Sequence, residues 1–217
     1  MNISKDYILL ILNCKKYRHK ANIQKNTWLH KLPTNISYYH IIGDISMCNS
    51  NEYIFDEINN LLYVNSKDDY LNLPHKIITA IKAVNDTFEY KYIFKTDDDQ
   101  ILLKDNFFET LINILDTKKN DYGGFNINVK DHITTYWTVH PELPRDLFLK
   151  GTIYCNGRFY LLSNRVIQEL LTHVDKIKKL ILEDHSIGLY IDNKFKKNIL
   201  NINTNNIFID MDKLNLI

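Results

Sequence analysis

The chain has 217 residues, of which 45% are hydrophobic and 24% charged, and its formal net charge is +1. This size and apolar content predict one globular domain with a substantial core, and the near-zero net charge gives no reason to expect a nucleic acid partner. Asn, Ile and Lys are abundant, which is typical of an AT-rich genome such as that of a large DNA virus, a protist or a bacterium.

The N-terminal apolar run Tyr7–Leu12 predicts a buried first strand. A bilayer span needs about 20 apolar residues, and this run also lacks the basic flank and cleavage site of a signal peptide. We therefore expect no membrane span in this chain and a cytoplasmic or otherwise soluble location. The three cysteines form no CxxC motif, and their odd number favours a reducing compartment.

Strand and helix patterns alternate along the rest of the sequence. Further strands are predicted at residues 38–42, 61–64, 92–94, 122–129, 153–162 and 199–209. Helices are predicted at residues 20–30, 73–84, 106–115, 164–174 and 184–190. This alternation predicts an α/β fold with helices on both faces of a sheet, in which ligands bind beyond the carboxyl ends of the strands.

Three consecutive carboxylates, Asp97, Asp98 and Asp99, follow the strand predicted at residues 92–94. Like charges this close raise one another's pKa, and a divalent cation with oxygen ligands relieves the repulsion. Such a cation can also hold the two phosphates of a nucleotide diphosphate as a leaving group. The alternative is a solvated acidic turn that caps the next helix.

Two other segments carry candidate chemistry. Asp184 either caps the helix predicted at 184–190, which its spacing favours, or acts as a general base, and the two roles are compatible. In the segment Tyr154–Tyr160, Gly157 permits a close backbone approach. The aromatic residues around it either stack on a sugar or base, or belong to the core of a bulged strand.

Several blocks occur in an order that resembles the β-1,3-glycosyltransferase family, which includes β-1,3-galactosyltransferases, β-1,3-N-acetylglucosaminyltransferases and the Fringe proteins. The blocks are Lys25–Trp28, Tyr39–Gly43, Asp68–Lys76, Tyr92–Asp99, Tyr154–Ser163 and Glu183–Gly188. The resemblance implies a GT-A-like fold, with a mixed central sheet flanked by helices. It also implies a UDP-sugar donor, a Mn²⁺ cofactor, a glycan or glycoconjugate acceptor, and inversion at the anomeric carbon to give a β-1,3 link.

The resemblance also implies roles for individual residues. Asp99 is expected to bind the metal directly, and Asp97 and Asp98 to hold the ribose or to reach the metal through water. Asp184 is expected to be the catalytic base. Further donor contacts are expected from Lys25, Asn72 and Lys76. We expect a single domain, 1–217, with the nucleotide-sugar-binding half mainly in 1–100 and the acceptor-binding and catalytic half mainly in 101–217.

The sequence departs from the family pattern in three places. Lys25 stands where the family has arginine, and no histidine follows His185 to serve as a further metal ligand, so that Asp210, a backbone group or water would have to replace it. Residues 130–150 match poorly. Within them, Trp137 and His140 either contact the acceptor or contribute to packing.

Two other classes of protein fit parts of the sequence. One is a carbohydrate-binding protein that retains the fold but not turnover. The other is a different metal enzyme, such as a nucleotidyltransferase, or a glycoside hydrolase, which needs two carboxylates on either side of a glycosidic bond.

Overall fold

The computed structural model describes residues 3–216 of the chain. The strands in chain order are β1 (Ile3–Ser4), β2 (Tyr7–Leu12), β3 (Ile36–Gly43), β4 (Tyr53–Asp56), β5 (Leu61–Val64), β6 (Phe88–Glu89), β7 (Tyr92–Asp97), β8 (Gln100–Leu102), β9 (Tyr122–Val129), β10 (His132–Ile133), β11 (Phe148–Leu149), β12 (Thr152–Ser163), β13 (Leu200–Asn201) and β14 (Phe208–Asp210). The α-helices are α1 (Arg18–Thr27), α2 (Ile45–Cys48), α3 (Leu73–Thr87), α4 (Phe107–Lys118), α5 (Asn164–Leu170), α6 (Val174–Ile177), α7 (Glu183–Tyr190) and α8 (Asn193–Lys196). Short 3₁₀ turns lie at Lys15–Tyr17, Leu29–Lys31, Tyr70–Asn72, Tyr136–Thr138, Leu171–His173, Thr204–Asn206 and Met211–Leu214.

The central sheet is mixed, with the strand order β13-β9-β12-β7-β2-β3-β5-β4. The pairs formed by β7, β2, β3 and β5 are parallel, whereas β12 is antiparallel to both β7 and β9. In the register of β2, Leu12 lies opposite Asp97 of β7 on one side and Ile41 of β3 on the other. The carboxyl ends of these three strands therefore reach one edge of the sheet, which is where α/β folds bind ligands.

Two apolar layers cover the two faces of the sheet. Alternate residues of β2 divide between them, which explains why this strand reads as a continuous apolar run. On one face α3 buries Ile77, Ile81 and Val84, which recur at helical spacing. On the other face Phe108 of α4 stacks on Trp28, so Trp28 is a core residue. The predicted α/β class, with a mixed central sheet flanked by helices, is confirmed.

Several predicted bounds agree closely with the structure. The strands predicted at 7–12, 61–64 and 122–129 match β2, β5 and β9 residue for residue. The helices predicted at 73–84 and 106–115 correspond to α3 and α4, which continue to Thr87 and Lys118. Of these segments, β2 is buried throughout, and α3 and α4 each bury an apolar face.

The single strand predicted over residues 199–209 is wrong. β13 ends at Asn201, a 3₁₀ turn follows at Thr204–Asn206, and β14 begins at Phe208. β13 pairs with β9 at the edge of the central sheet, whereas β14 pairs with β8 in a separate two-stranded sheet. The Asn-rich residues between them favour a turn, which redirects the chain toward the end of β7.

Two other regions differ from their predictions. The helix predicted at 164–174 is interrupted, because α5 ends at Leu170 and a 3₁₀ turn precedes α6. Strand β4 was not predicted; it is a half-buried edge strand that pairs antiparallel with β5. None of the helices within residues 3–216 has both the length and the apolar character that crossing a bilayer requires.

Candidate active site

A cavity of about 760 Å³ opens where the carboxyl ends of β2 and β7 meet the start of α7. Five of the predicted site residues line it: Lys76, Asp97, Asp98, Asp99 and Asp184. Further polar and aromatic lining residues are Asn13, Lys16, Tyr17, Lys20, Asp68, Asp69, Tyr70, Lys95, Gln100, His140, Glu142, Asn156, Arg158 and Glu183. Lys25 and Asn72 are not among the lining residues.

The acidic turn, which we define as Asp97–Asp99, connects β7 directly to β8. The backbone N–H of Asp98 donates to Leu12 O at 3.0 Å, and the N–H of Met211 donates to Asp99 O at 2.8 Å. The turn is therefore held by β2 on one side and by the C-terminal segment on the other. A strand follows it rather than a helix, so the alternative of an acidic helix cap is wrong.

Burial is the main cause of raised pKa values in the acidic turn. It raises the pKa of Asp97 from 3.8 to about 6, against the opposing effect of Lys95. It raises the pKa of Asp98 from 3.8 to about 7, against the opposing effect of Lys20. Repulsion from Asp99 adds to both shifts. A bound cation would reverse this repulsion, since it favours the ionised carboxylates.

The carboxylates of the turn are only partly satisfied by protein donors. Asp97 Oδ1 accepts from Lys95 Nζ at 2.7 Å, and Asp99 Oδ1 accepts from Gln100 Nε2 at 2.8 Å. Lys20 Nζ lies 3.5 Å from Asp98 Oδ1. Within residues 3–216, the Oδ2 atoms of these three aspartates have no hydrogen-bond partner, and no group of three or more His, Cys, Asp or Glu side chains is arranged to hold a metal ion.

The donor set therefore fits a hard divalent cation that takes only part of its coordination from the protein. Carboxylate oxygens are suitable ligands for Mn²⁺ or Mg²⁺, and Asp97 and Asp99 each have one available oxygen. The remaining positions would be filled by water or by a bound diphosphate.

Asp184 lies in the first turn of α7, one residue after its start. Its Oδ2 accepts from the backbone N–H of Gly157 at 2.9 Å, and its Oδ1 accepts from the N–H of His185 at 2.7 Å. Leu182 is the N-cap residue, so the prediction that Asp184 caps the helix is wrong, although it does satisfy one N–H of the first turn. Burial raises the pKa of Asp184, against the opposing effect of Lys95.

Lys95 joins the acidic turn to α7. Its buried Nζ donates to Asp97 Oδ1 at 2.7 Å, to Gly157 O at 2.6 Å and to Glu183 Oε2 at 2.9 Å. Tyr160 completes the pairing by donating to Glu183 Oε1 at 2.5 Å. Sequence reasoning missed Lys95, although a lysine directly after a predicted buried strand and before three carboxylates is an unusual feature that could have pointed to it.

The segment Tyr154–Tyr160 lies in β12 and acts as structural support for Asp184. The pairing of β12 with β9 shifts register between Cys155 and Tyr160, which marks a bulge. Tyr154 and Tyr160 are 3% and 1% exposed, so they are core residues rather than stacking surfaces for a ligand. A Cβ added at Gly157 would lie 3.3 Å from Lys95 Nζ and 3.5 Å from Asp184 Oδ2.

The basic residues of the cavity differ in part from those predicted. Lys76 is buried at the cavity wall and donates to Asn13 O at 2.6 Å and to Asp68 Oδ1 at 2.7 Å. Lys25 donates instead to Asn59 O at 2.8 Å and lines a separate cavity of about 220 Å³. It lies about 140° around α1 from Lys20, because five residues of an α-helix turn through about 500°. Lys20, and not Lys25, therefore lines the larger cavity.

Asn72 and Asp210 also have local partners. Asn72 Nδ2 donates to Asp69 Oδ1 at 2.7 Å, which fixes the turn before α3. Asp210 Oδ1 accepts from Gln100 Nε2 at 2.9 Å and from Arg158 Nη2 at 2.7 Å, and its Oδ2 pairs with Lys213. Both oxygens of Asp210 are therefore engaged, which argues against this residue as the substitute for a histidine ligand.

The two acceptor candidates have different environments. His140 lines the cavity and stacks on Tyr70, with ring centroids 4.3 Å apart. Trp137 is half-buried, lies under the Arg145 guanidinium at 4.9 Å, and packs against a small cluster that contains Leu149. His140 therefore faces the cavity, whereas Trp137 is a packing residue.

Comparison with known proteins identifies the family. The galactosyltransferase family profile matches residues 19–199. The chain belongs to this family. The matched segment contains the acidic turn and also Lys95, Gly157 and Asp184. Membership of this family agrees with the GT-A-like fold expected from the sequence.

The relatives include two β-1,3-N-acetylgalactosaminyltransferases. UDP-GalNAc:β-1,3-N-acetylgalactosaminyltransferase 2 of Xenopus laevis is 25% identical over 136 residues, which cover 60% of this chain and 26% of the relative. UDP-GalNAc:β-1,3-N-acetylgalactosaminyltransferase 1 of Homo sapiens is 27% identical over 133 residues, which cover 61% of this chain and 40% of the relative. The matches thus span less than half the length of these relatives.

Among solved structures, the galactosyltransferase LgtC, in complex with donor and acceptor sugar analogues, is 13% identical. The alignment covers 91% of this chain and 73% of LgtC, with a TM-score of 0.46.

Proposed function

We propose that the protein is a metal-dependent, inverting glycosyltransferase that moves a hexose or N-acetylhexosamine from a UDP-sugar to a glycan or glycoconjugate hydroxyl, forming a β-1,3 link. The observation that supports this proposal is the placement of the acidic turn and Asp184 in one cavity of about 760 Å³. Such a volume is suited to a nucleotide-sugar together with part of an acceptor. The names of these two relatives make UDP-GalNAc the first donor to test.

In this proposal Asp184 is the general base. It accepts the proton of the acceptor hydroxyl while that oxygen forms a bond to the anomeric carbon, and the bond from that carbon to the diphosphate breaks with its electron pair leaving on UDP. A carboxylate with a raised pKa is a stronger base than an ordinary aspartate. The N–H groups of Gly157 and His185 fix its direction without removing all of its acceptor capacity.

Other residues of the chain bind and orient the donor. Asp97 and Asp99 are the residues that would hold a divalent cation, which when bound neutralises charge on the diphosphate leaving group. Lys20 brings a positive charge to the same side of the cavity. The Tyr70–His140 pair lies at the cavity wall, where its flat surface is suited to an acceptor sugar.

The experiment is a binding and transfer assay with UDP, UDP-GalNAc, UDP-GlcNAc, UDP-Gal and UDP-glucose, each with and without Mn²⁺. A ligand that binds only the folded state raises the melting temperature. We expect a shift with UDP and one UDP-sugar that requires Mn²⁺ and that is lost in Asp99→Asn. Asp105→Asn is the matched control, because Asp105 is 64% exposed and pairs with Lys31 away from the cavity.

The outcomes separate the proposed function from the alternatives. Mn²⁺-dependent binding followed by transfer of the sugar to an oligosaccharide acceptor supports the glycosyltransferase. Glycan binding without any nucleotide binding or UDP release would favour a carbohydrate-binding protein. Hydrolysis of a glycoside in the absence of nucleotide would favour a hydrolase.

A further inference from the structure

Gln24 is a fully buried residue of α1 whose side chain reaches the acidic turn. Its Nε2 donates to Asp97 O at 3.0 Å and to Gln100 O at 2.9 Å. Trp28 Nε1 donates to the same Gln100 carbonyl at 3.1 Å. These two carbonyls flank Asp98 and Asp99, so a single amide group binds the backbone on both sides of those residues.

The orientation of the Gln24 amide follows from its partners. Because two carbonyl oxygens face one end of the amide, that end must be the NH₂ group, and Oε1 must face the other way. There His40 Nε2 lies 3.0 Å from Gln24 Oε1. Burial lowers the pKa of His40 to about 3, with Lys25 adding to the shift, so the ring is neutral and carries one N–H. That N–H is on Nε2, which leaves the unprotonated nitrogen at Nδ1.

The tautomer agrees with the surroundings of His40. Its Nδ1 is buried and has no hydrogen-bond partner within the described residues 3–216. An unprotonated nitrogen in that position leaves an acceptor unsatisfied, whereas a protonated one would leave a buried N–H, which proteins rarely tolerate. A directed series of hydrogen bonds therefore runs from His40 through Gln24 to the backbone of the acidic turn.

From this series we infer that Gln24, oriented by His40, is a positioning residue for the cation and diphosphate site. The inference rests on the proposed function. The amide holds the Asp97 and Gln100 carbonyls at a fixed separation, and that separation sets the directions in which the Asp97 and Asp99 carboxylates leave the backbone. Gln24 lies behind the turn and touches neither the cation nor the donor. Its effect is on the geometry of the residues that do.

The test compares Gln24→Met with the wild-type protein. Methionine has nearly the same length and shape but cannot donate to the carbonyls. Outer-shell partners of metal ligands typically change metal affinity by 10 to 100-fold. We expect the Kd for Mn²⁺, measured by calorimetry at saturating UDP, to rise about tenfold, and the KM for acceptor to stay within about twofold. His40→Phe removes the donor to Gln24 Oε1 and should weaken Mn²⁺ binding by a smaller factor of about three.

Asn120→Leu is the matched control, because it also removes a buried amide. Asn120 is 4% exposed and its Nδ2 donates to Asn198 O at 2.8 Å, near the β9–β13 edge of the sheet. Both variants are expected to lower the melting temperature. Only Gln24→Met is expected to weaken Mn²⁺ binding. If the two variants lose stability equally and both bind Mn²⁺ and UDP like the wild type, Gln24 is a structural residue and the inference is wrong.

Hydrogen exchange of the metal-free protein provides a readout that does not depend on the proposed function. In Gln24→Met the backbone amides of residues 96–102 should exchange about fivefold faster than in Asn120→Leu, because the turn has lost its anchor. Unchanged exchange in this segment would overturn the inference even if the enzyme is active. A third outcome is faster exchange in Gln24→Met together with no Mn²⁺-dependent UDP binding by the wild type. Gln24 would then still anchor the turn, and the proposed function would be wrong.

Discussion

Two acidic clusters meet at the cavity, and the protein stabilises them differently. In the acidic turn, burial and mutual repulsion raise the pKa of Asp98 to about 7, and its nearest cation is Lys20 at 3.5 Å. In α7, by contrast, Glu183 accepts from Lys95 and Tyr160 at 2.9 and 2.5 Å. Asp184 beside it accepts two backbone N–H groups.

The difference corresponds to the two proposed chemical tasks of the clusters. A carboxylate with unsatisfied oxygens gains by binding a cation, so the acidic turn is suited to hold a charged donor. A carboxylate whose oxygens are directed by fixed N–H groups keeps one geometry, so Asp184 is suited to meet a hydroxyl in one orientation. Lys95 contacts both clusters and keeps them from repelling each other directly.

The largest expected effect comes from removing the proposed base, Asp184. Asp184→Asn keeps the shape of the side chain, but an amide oxygen is too weak a base to take the hydroxyl proton. We expect kcat to fall about a thousandfold, which is about 4 kcal/mol of transition-state stabilisation, while Mn²⁺-dependent UDP binding is retained. Initial rates of UDP release at saturating donor and acceptor measure this loss. Retention of near-full activity would mean that another group is the base.

The next effect tests the bridge between the clusters. Lys95→Met leaves Asp97 and Glu183 without their shared cation, and breaking a buried ion pair costs about 3 to 5 kcal/mol of stability. Urea unfolding at neutral pH measures the change. Lys82→Met is the matched control, since Lys82 is 34% exposed and its pair with Asp86 contributes about 0.5 kcal/mol. Equal losses in the two variants would show that the Lys95 bridge contributes little to stability.

The parts of the fold that local pattern determines were predictable from the sequence. The apolar run Tyr7–Leu12 and the helical spacing in α3 each specify burial through neighbouring residues. The acidic turn could be proposed as a candidate site because an apolar strand precedes three carboxylates. The 199–209 segment was not, because pairing with two different sheets depends on where β8 and β9 lie in space.

The supporting residues of the site could not be predicted in the same way. Gly157 and Asp184 are 27 residues apart, and Lys95 and Glu183 are 88 residues apart, so their contacts arise only because α7 packs against β12, which in turn pairs with β7. The exchange of Lys20 for Lys25 has a similar origin. Both lie on one helix, and the sequence does not show which face of α1 turns toward the cavity. That face is set by Ala21 and Gln24, which α1 buries.

The smallest expected effect tests the raised pKa of the acidic turn in the metal-free protein. A carboxyl group whose pKa is raised by folding from 3.8 to about 7 stabilises the folded state fully below pH 3.8 and loses that contribution as pH rises through 7. Asp98→Asn removes the titration. We therefore expect the variant to be more stable than wild type by about 2 kcal/mol at pH 8, allowing for partial hydration, and by much less at pH 4.5.

Asp44→Asn is a control of opposite sign. Burial alone would raise the pKa of Asp44, but hydrogen bonds from Lys15 and Ser46 lower it to about 2. This variant should be less stable than wild type throughout that pH range. Unfolding free energies measured in EDTA across the range decide the point: a constant difference for Asp98→Asn would mean that Asp98 is ionised as easily in the folded as in the unfolded chain. The turn would then have no electrostatic strain for a cation to relieve.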